Sequence, residues 1–150
     1  MYSQARAGSV SRWLRGLVAA ALLVLGAAPV QAQNIPQPDE AFRPSVEAAG
    51  ADRVRVTWEI ADETYLYRSK IDLQVQGPDG VKVTDLQIPK GKKKYDEVFG
   101  KEMRIFRDSV SAVAVLQRPP EGTLDVSLEA SYQGGADAGV CYPPQTAPFE

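Results

Sequence analysis

Cys141 is the only cysteine among 150 residues, and no histidine stands anywhere in the chain to assist it. Without imidazole the usual metal sites and histidine-based triads are excluded, and one thiol cannot form an internal disulfide. What it can do is attack another molecule's disulfide as a thiolate, giving a mixed disulfide that a second thiol must later resolve. The thiol lies in Tyr132-Gln133-Gly134-Gly135-Ala136-Asp137-Ala138-Gly139-Val140-Cys141-Tyr142-Pro143-Pro144. Its glycines, Asp137 and the Tyr142-Pro143-Pro144 exit predict a tight, irregular loop, neither strand nor helix, that fixes the thiol on a surface. No lysine or arginine in the loop itself favours an activated thiolate. Composition alone would make Cys141 a small buried hydrophobe, because free cysteine is among the most buried residue types; the loop argues for a presented one.

The elements that must hold this loop come after an export signal. Residues 1–32 carry Arg6, Arg12 and Arg15 with no acid, then the apolar run Leu17 to Ala28, then Val30-Gln31-Ala32 as a cleavage site before Gln33. The apolar run is shorter than the roughly 20 residues a spanning helix needs, so a signal peptide is expected in preference to an anchor. An exported compartment is oxidising, which leaves a lone cysteine buried, paired between chains or used for exchange. Residues 33–150 form one domain-sized unit. The leader holds three of the 17 basic residues and none of the 19 acids, so this unit has 14 against 19 and a net charge of −5. Such a balance, without interleaved aromatic and basic residues, argues against nucleic acid and anionic membranes and for protein partners.

Within the unit, Asn34 to Asp39 reads as an extended leader, and Val54, Val56, Trp58 and Ile60 alternate with polar residues as a half-buried strand. Tyr65-Leu66-Tyr67-Arg68 begins a second extended piece that Ile71, Leu73 and Val75 continue, and Gly77-Pro78-Asp79-Gly80 turns the chain back through Val81-Lys82-Val83. Pro89 to Lys94, with three consecutive lysines, reads as a solvated polar turn. Strands are expected over Val110 to Leu116 and Leu124 to Tyr132, separated by the breaker cluster Arg118 to Gly122. No segment has helical periodicity over three turns, so the expected fold class is all-β, an antiparallel β-sandwich.

The cysteine segment closely resembles the active-site segment of the N-terminal periplasmic domain of DsbD, a family of thiol:disulfide interchange proteins that carry reducing electrons across the bacterial inner membrane. The family pattern has a second cysteine where this chain has Gly135, so Cys-x5-Cys is reduced to Cys141 alone. Tyr95-Asp96-Glu97-Val98-Phe99-Gly100-Lys101 resembles the family's cap loop, an Asp-Glu-Phe-Tyr-Gly segment that shields the cysteines. Asp96, Glu97 and Gly100 match, Phe99 replaces the tyrosine, and Val98 stands where the chief shielding phenylalanine would be. Tyr65 to Arg68 and Ile105 to Asp108 also match family segments, and the resemblance runs from about Asp39 to Phe149.

The resemblance implies an immunoglobulin-like sandwich in the periplasm, with Cys141 as the partner-joining thiol and Gly135 at the resolving position. It implies an active-site loop of Gly134, Gly135, Asp137, Gly139 and Tyr142, and a cap of Asp96, Glu97, Val98, Phe99 and Gly100 that covers the thiol and slows its attack until a partner displaces it. Tyr65 and Tyr67 are either core or the lining of the thiol's surroundings. The implied partners are periplasmic thioredoxin-fold proteins: DsbC-like isomerases, cytochrome c maturation thioredoxin-like proteins and a DsbD C-terminal-type domain. No cofactor, metal or nucleic acid is expected, and a membrane enters only if the chain is part of a longer transporter. Two functions fit: an exchange domain working through one thiol, and a binding module that keeps the fold and docking face without turnover.

Overall fold

The computed structural model describes residues 34–119, 122 and 125–150. The expected signal over residues 1–32 therefore lies outside the described residues. A four-residue helix α1 (Pro38–Ala41) opens the unit, its first turn closed by the Glu40 carboxylate accepting from the Gln37 amide at 3.1 Å. Twelve strands follow among the described residues: β1 (Phe42–Gly50), β2 (Arg53–Ile60), β3 (Thr64–Tyr67), β4 (Asp72–Gly77), β5 (Lys82–Gln87), β6 (Lys92–Asp96), β7 (Lys101–Phe106), β8 (Ser109–Gln117), β9 (Ser127–Tyr132), β10 (Gly134–Ala136), β11 (Val140–Cys141) and β12 (Gln145–Phe149). The all-β, antiparallel expectation holds.

The strands form three sheets, ordered β1-β2-β8-β5, β11-β10-β3-β7-β6 and β12-β9-β4. The main core lies between inward faces of all three: Val56 and Trp58 of β2, Ala112 and Ala114 of β8, Leu73 of β4, Ala130 and Tyr132 of β9, and Leu66 and Phe106 of the five-stranded sheet. Trp58 and Phe42 both meet the Tyr132 ring edge-on, with centroids 5.9 and 6.2 Å apart.

Period-2 alternation explains how one short strand serves two environments. Leu66 points into the main core, while Tyr65 and Tyr67 on either side of it join Met103 and Ile105 of β7 in a second apolar cluster. Against that cluster packs Cys141.

Five expectations need correction. The leader expected to be extended as far as Asp39 turns helical at Pro38. The piece from Tyr65 to Val75 is not one strand: a 3-10 turn at Arg68–Lys70 moves the chain from the five-stranded sheet to the three-stranded one. The chain returning after Gly80 does not pair with β4, because β5 joins β8 in another sheet. The lysine run is not a turn but β6, paired along its length with β7. Finally, the strand expected from Leu124 is ordered as β9 only from Ser127, and Leu124 itself lies outside the described residues.

Candidate functional site

The cysteine segment is a β-hairpin, where the sequence suggested an irregular loop. Gly134–Ala136 form a fully buried strand, Asp137 to Gly139 turn, and Val140–Cys141 return. Gly139 takes the positive φ (+82°) that the turn requires. Gly134 and Gly135 are not in that region; they are small because of what lies against them. A Cβ on Gly134 would collide with the Tyr65 carbonyl oxygen and come 2.5 Å from Cζ of Phe42. One on Gly135 would sit 2.6 Å from the Tyr65 hydroxyl oxygen and 2.8 Å from its Cζ.

Register puts the chemistry in one row. Gly135 lies opposite Cys141 on one side and opposite Tyr65 on the other. Directly opposed residues share a sheet face, so the thiol, the bare backbone of Gly135 and the Tyr65 phenol line up across three strands. Cys141 is half-buried. Its Sγ lies 3.6 Å from the side-chain amide nitrogen of Gln133 and 3.9 Å from the Gly134 carbonyl oxygen. The Gln133 amide is fixed by donating to the Tyr142 carbonyl at 2.9 Å, so an N–H is held beside the sulfur. Gln133 was not singled out in the sequence; its place two residues before Gly135, at the end of β9, carried no separate signal.

The cap segment is the tip of the β6–β7 hairpin, with Glu97 to Gly100 as the turn. Gly100 has φ +63° there. Asp96 is almost wholly buried and accepts hydrogen bonds from the Tyr67 hydroxyl at 2.6 Å, the Tyr65 hydroxyl at 3.4 Å and the Phe99 amide at 3.0 Å. Burial alone would raise its pKa, but the Tyr67 hydroxyl, the Phe99 and Val98 amides and the Lys94 charge outweigh it and hold the carboxyl below the usual range. The Tyr67 hydroxyl is correspondingly pushed up, by burial first and then by its bond to Asp96. The Asp96 carboxylate is therefore committed to the tyrosines and the turn, and Glu97 is exposed. Phe99 rests edge-on against Tyr67 with centroids 5.4 Å apart, and Val98 is 62% exposed, so the cap reaches the thiol's surroundings through the tyrosines. Tyr65 and Tyr67 are both buried and belong to the apolar cluster on which Cys141 packs.

Asp137 is clamped by Arg107, whose guanidinium donates to its two carboxylate oxygens at 2.7 and 2.8 Å. That bidentate pair lowers the Asp137 pKa and raises that of Arg107. Arg107 also lies 5.3 Å from the Tyr65 ring centroid. Tyr142 turns away from the thiol: it is buried against Phe42, and its hydroxyl donates to the Pro36 carbonyl at 2.8 Å, anchoring the leader. Among the described residues no three His, Cys, Asp or Glu side chains converge on a point where a metal could sit. A cavity of about 570 Å³ lined by Val46, Val54, Leu116, Val126 and Phe149 shares no residue with the thiol's surroundings.

The family model for the N-terminal part of thiol:disulfide interchange protein DsbD matches residues 32–150. The chain belongs to the DsbD N-terminal domain family. Its relatives include DsbD of Escherichia coli, 37% identical over 119 residues that cover 79% of this chain and 20% of the relative. DsbD 1 of Pseudomonas aeruginosa is 37% identical over 112 residues, covering 75% of this chain and 18% of that protein. The chain thus spans about a fifth of the length of these relatives. The reduced DsbD N-terminal domain of Neisseria meningitidis superposes with a TM-score of 0.65 at 30% identity, covering 77% of this chain and 87% of that one. The same domain in complex with the PilB N-terminal domain gives 0.62 at 32% identity, with 79% and 88% covered.

Proposed function

We propose that this chain is a DsbD-type thiol–disulfide exchange domain that works in the periplasm after removal of residues 1–32, and that it meets thioredoxin-fold partners through Cys141 alone. The observation that carries the reading is the setting of the sulfur. Cys141 is half-buried on the cross-strand row with Gly135 and Tyr65, with the Gln133 amide N–H 3.6 Å away. A sulfur held by fixed neighbours yet still half-exposed suits a nucleophile that must meet another molecule's disulfide. The PilB complex of the meningococcal domain supports a protein partner, and we extend that to thioredoxin-fold proteins of the DsbC-like, cytochrome c maturation and DsbD C-terminal kinds. In this reading Gly135 occupies the position of a resolving cysteine, so the wild-type chain stops at a mixed disulfide unless another molecule supplies a thiol. The sandwich is read as immunoglobulin-like, with Asp96 to Gly100 as its cap.

A second reading, a docking module without turnover, is favoured by one observation. The Tyr65 ring fills the space beside Gly135 that a second sulfur would need. The two are separated by incubating the protein with an oxidised thioredoxin-fold protein and following intact mass without reductant. The exchange reading requires an adduct that Cys141→Ser abolishes and that a small thiol then releases. Partner binding by calorimetry with no adduct would support the docking module instead.

A further inference from the structure

The β6–β7 hairpin has a charge opposite to that of the rest of the domain. From Lys92 to Phe106 there are five basic and three acidic residues, a net of +2, whereas the remainder of residues 33–150 has nine against 16, a net of −7. Register decides which of these charges share the sheet face of the thiol. Lys92 lies opposite Ile105, Lys94 opposite Met103 and Lys101 opposite Asp96, and Met103, Ile105 and Asp96 all pack on the Tyr65–Tyr67 face. Lys92, Lys94 and Lys101 therefore rise on that face, while Lys93 points the other way and pairs with Glu102 at 2.5 Å.

One of these ammonium groups, and that of Lys70 in the 3-10 turn, lie over aromatic rings of the site. Lys94 Nζ lies 4.8 Å from the centroid of Tyr65, the ring opposite Gly135, and Lys70 Nζ lies 5.9 Å from that of Phe99. The nearby carboxylates offset these charges only in part: Asp96 keeps its charge within the field of Lys94, and Asp137 has Arg107 as its own counter-ion. Asp96 is buried beneath Tyr67 and Asp137 is held by Arg107, which leaves Glu97 exposed at the turn. Lys70, Lys92, Lys94 and Lys101 are in no ion pair among the described residues. A positive patch on the sheet face that presents a nucleophile, on a domain otherwise negative, raises the local concentration of anionic reactants and orients the approaching molecule.

We propose that these lysines select the partner: the face presenting Cys141 is built for a protein whose reactive disulfide is ringed by carboxylates. The proposal rests on the exchange reading above and adds the partner's charge to it. In the step concerned, the Cys141 thiol gives its proton to solvent and the thiolate attacks one sulfur of the disulfide. A bond forms to Sγ as the disulfide bond breaks. The departing sulfur takes the electron pair and is reduced to a thiolate while the Cys141 sulfur is oxidised.

The test uses two small disulfides of opposite charge, the dianion dithiobis(nitrobenzoate) and the dication cystamine. Rates of adduct formation at Cys141 are measured at ionic strengths of about 0.01 M and 0.3 M, where the screening length falls from about 30 Å to below 8 Å. The anion-to-cation rate ratio should rise about tenfold at low salt in the wild type, the lower end of electrostatic steering. In Lys92→Gln/Lys94→Gln the rise should shrink to below about threefold, and Lys82→Gln on β5, which removes a charge from another sheet, should leave it intact. Reaction with both probes at a ratio indifferent to salt and to the two lysines would overturn the proposal while leaving exchange standing. No adduct with either probe, although Cys141 alkylates after unfolding, would overturn both. Binding to phosphatidylglycerol vesicles at low salt, with a probe ratio unaffected by the substitutions, would assign the lysines to a lipid surface and also overturn the proposal.

Discussion

Placing a cysteine at Gly135 tests the site's geometry directly. The Tyr142 amide donates to the Gly134 carbonyl at 3.0 Å, one residue outside the Gly135–Cys141 pair on each strand. That pattern makes the pair a non-hydrogen-bonded one, with Cα atoms about 4.5 Å apart, inside the range of about 4.4–6.8 Å that a disulfide needs. The obstacle is Tyr65. The new Cβ would lie 2.6 to 3.0 Å from three atoms of its ring, so the phenol must retreat by about 1 Å to ordinary contact distance. The ring is held by its edge contact with Tyr67, by Lys94 and Arg107 over it, and by its hydroxyl near Asp96. Overpacking of this kind costs about 1–3 kcal/mol, and that is the expected loss in urea denaturation of reduced Gly135→Cys. Closing a loop of seven residues restores about 2 kcal/mol on oxidation, so the oxidised variant should return close to wild-type stability. Adding Tyr65→Leu should speed closure, read by intact mass after mild oxidation and alkylation. Reduced Gly135→Cys as stable as wild type would show that Tyr65 does not occupy this space. Two free thiols after oxidation, with the fold intact, would show that the hairpin register is not the one described.

Asp96→Asn should destabilise the fold by about 1–3 kcal/mol, because the Tyr67 hydroxyl and Phe99 amide lose a charged acceptor in a buried site; chemical denaturation at neutral pH checks it. The folded pKa of Asp96 is depressed, so its contribution is fully present above the unfolded carboxylate value near 4 and is lost as pH falls through the lower folded value. Wild type should therefore lose stability below about pH 4 more steeply than Asp96→Asn. Arg107→Ala frees Asp137 and should raise the native-state alkylation rate of Cys141 several-fold. Its stability cost should be about 1 kcal/mol or less, because the pair is partly exposed and screened. Phe99→Ala, which uncovers Tyr67, should raise the same alkylation rate without unfolding the protein, and an unchanged rate would detach the cap from the thiol.

The strands that showed in the sequence are those with one wet face and one dry one. β2, β8 and β9 alternate because each buries every second residue, as in the Val110, Ala112, Ala114 and Leu116 series of β8. Edge strands carry no such mark. Most of β1 is exposed beyond Phe42, with Pro44 in the run, and β12 contains Pro148, so neither resembled a strand, and both are defined by pairing with a neighbour. β6 was hidden for the same reason: Lys92 and Lys93 are exposed, Lys94 is half-buried over Tyr65, and only β7 gives the run extended form. The break between β3 and β4 was invisible because apolar residues occupy odd-numbered positions on both sides of it, with Ser69 the one polar exception. Tyr65 and Tyr67 face the thiol's cluster whereas Ile71 and Leu73 face the main core, and the 3-10 turn performs the exchange of faces without altering the pattern.

The site was legible in its residue types and not in their geometry, and Gly134-Gly135 shows why. In a sequence, paired glycines beside Asp and Ala signal a turn through positive φ. Here both lie in an extended strand, and their small size answers to Phe42 and the Tyr65 carbonyl at one, and the Tyr65 ring at the other. Those neighbours are distant in sequence and meet only when β10 docks on β3. The same docking opposes Gly135 to Tyr65 and, through β11, to Cys141. A residue that looked like a lost function in the linear pattern is, in the fold, the position whose missing side chain lets an aromatic ring lie beside the remaining thiol. Any substitution there changes the packing of Tyr65 before it changes the chemistry of sulfur, so the Gly135 variants must be read first by stability and only then by exchange.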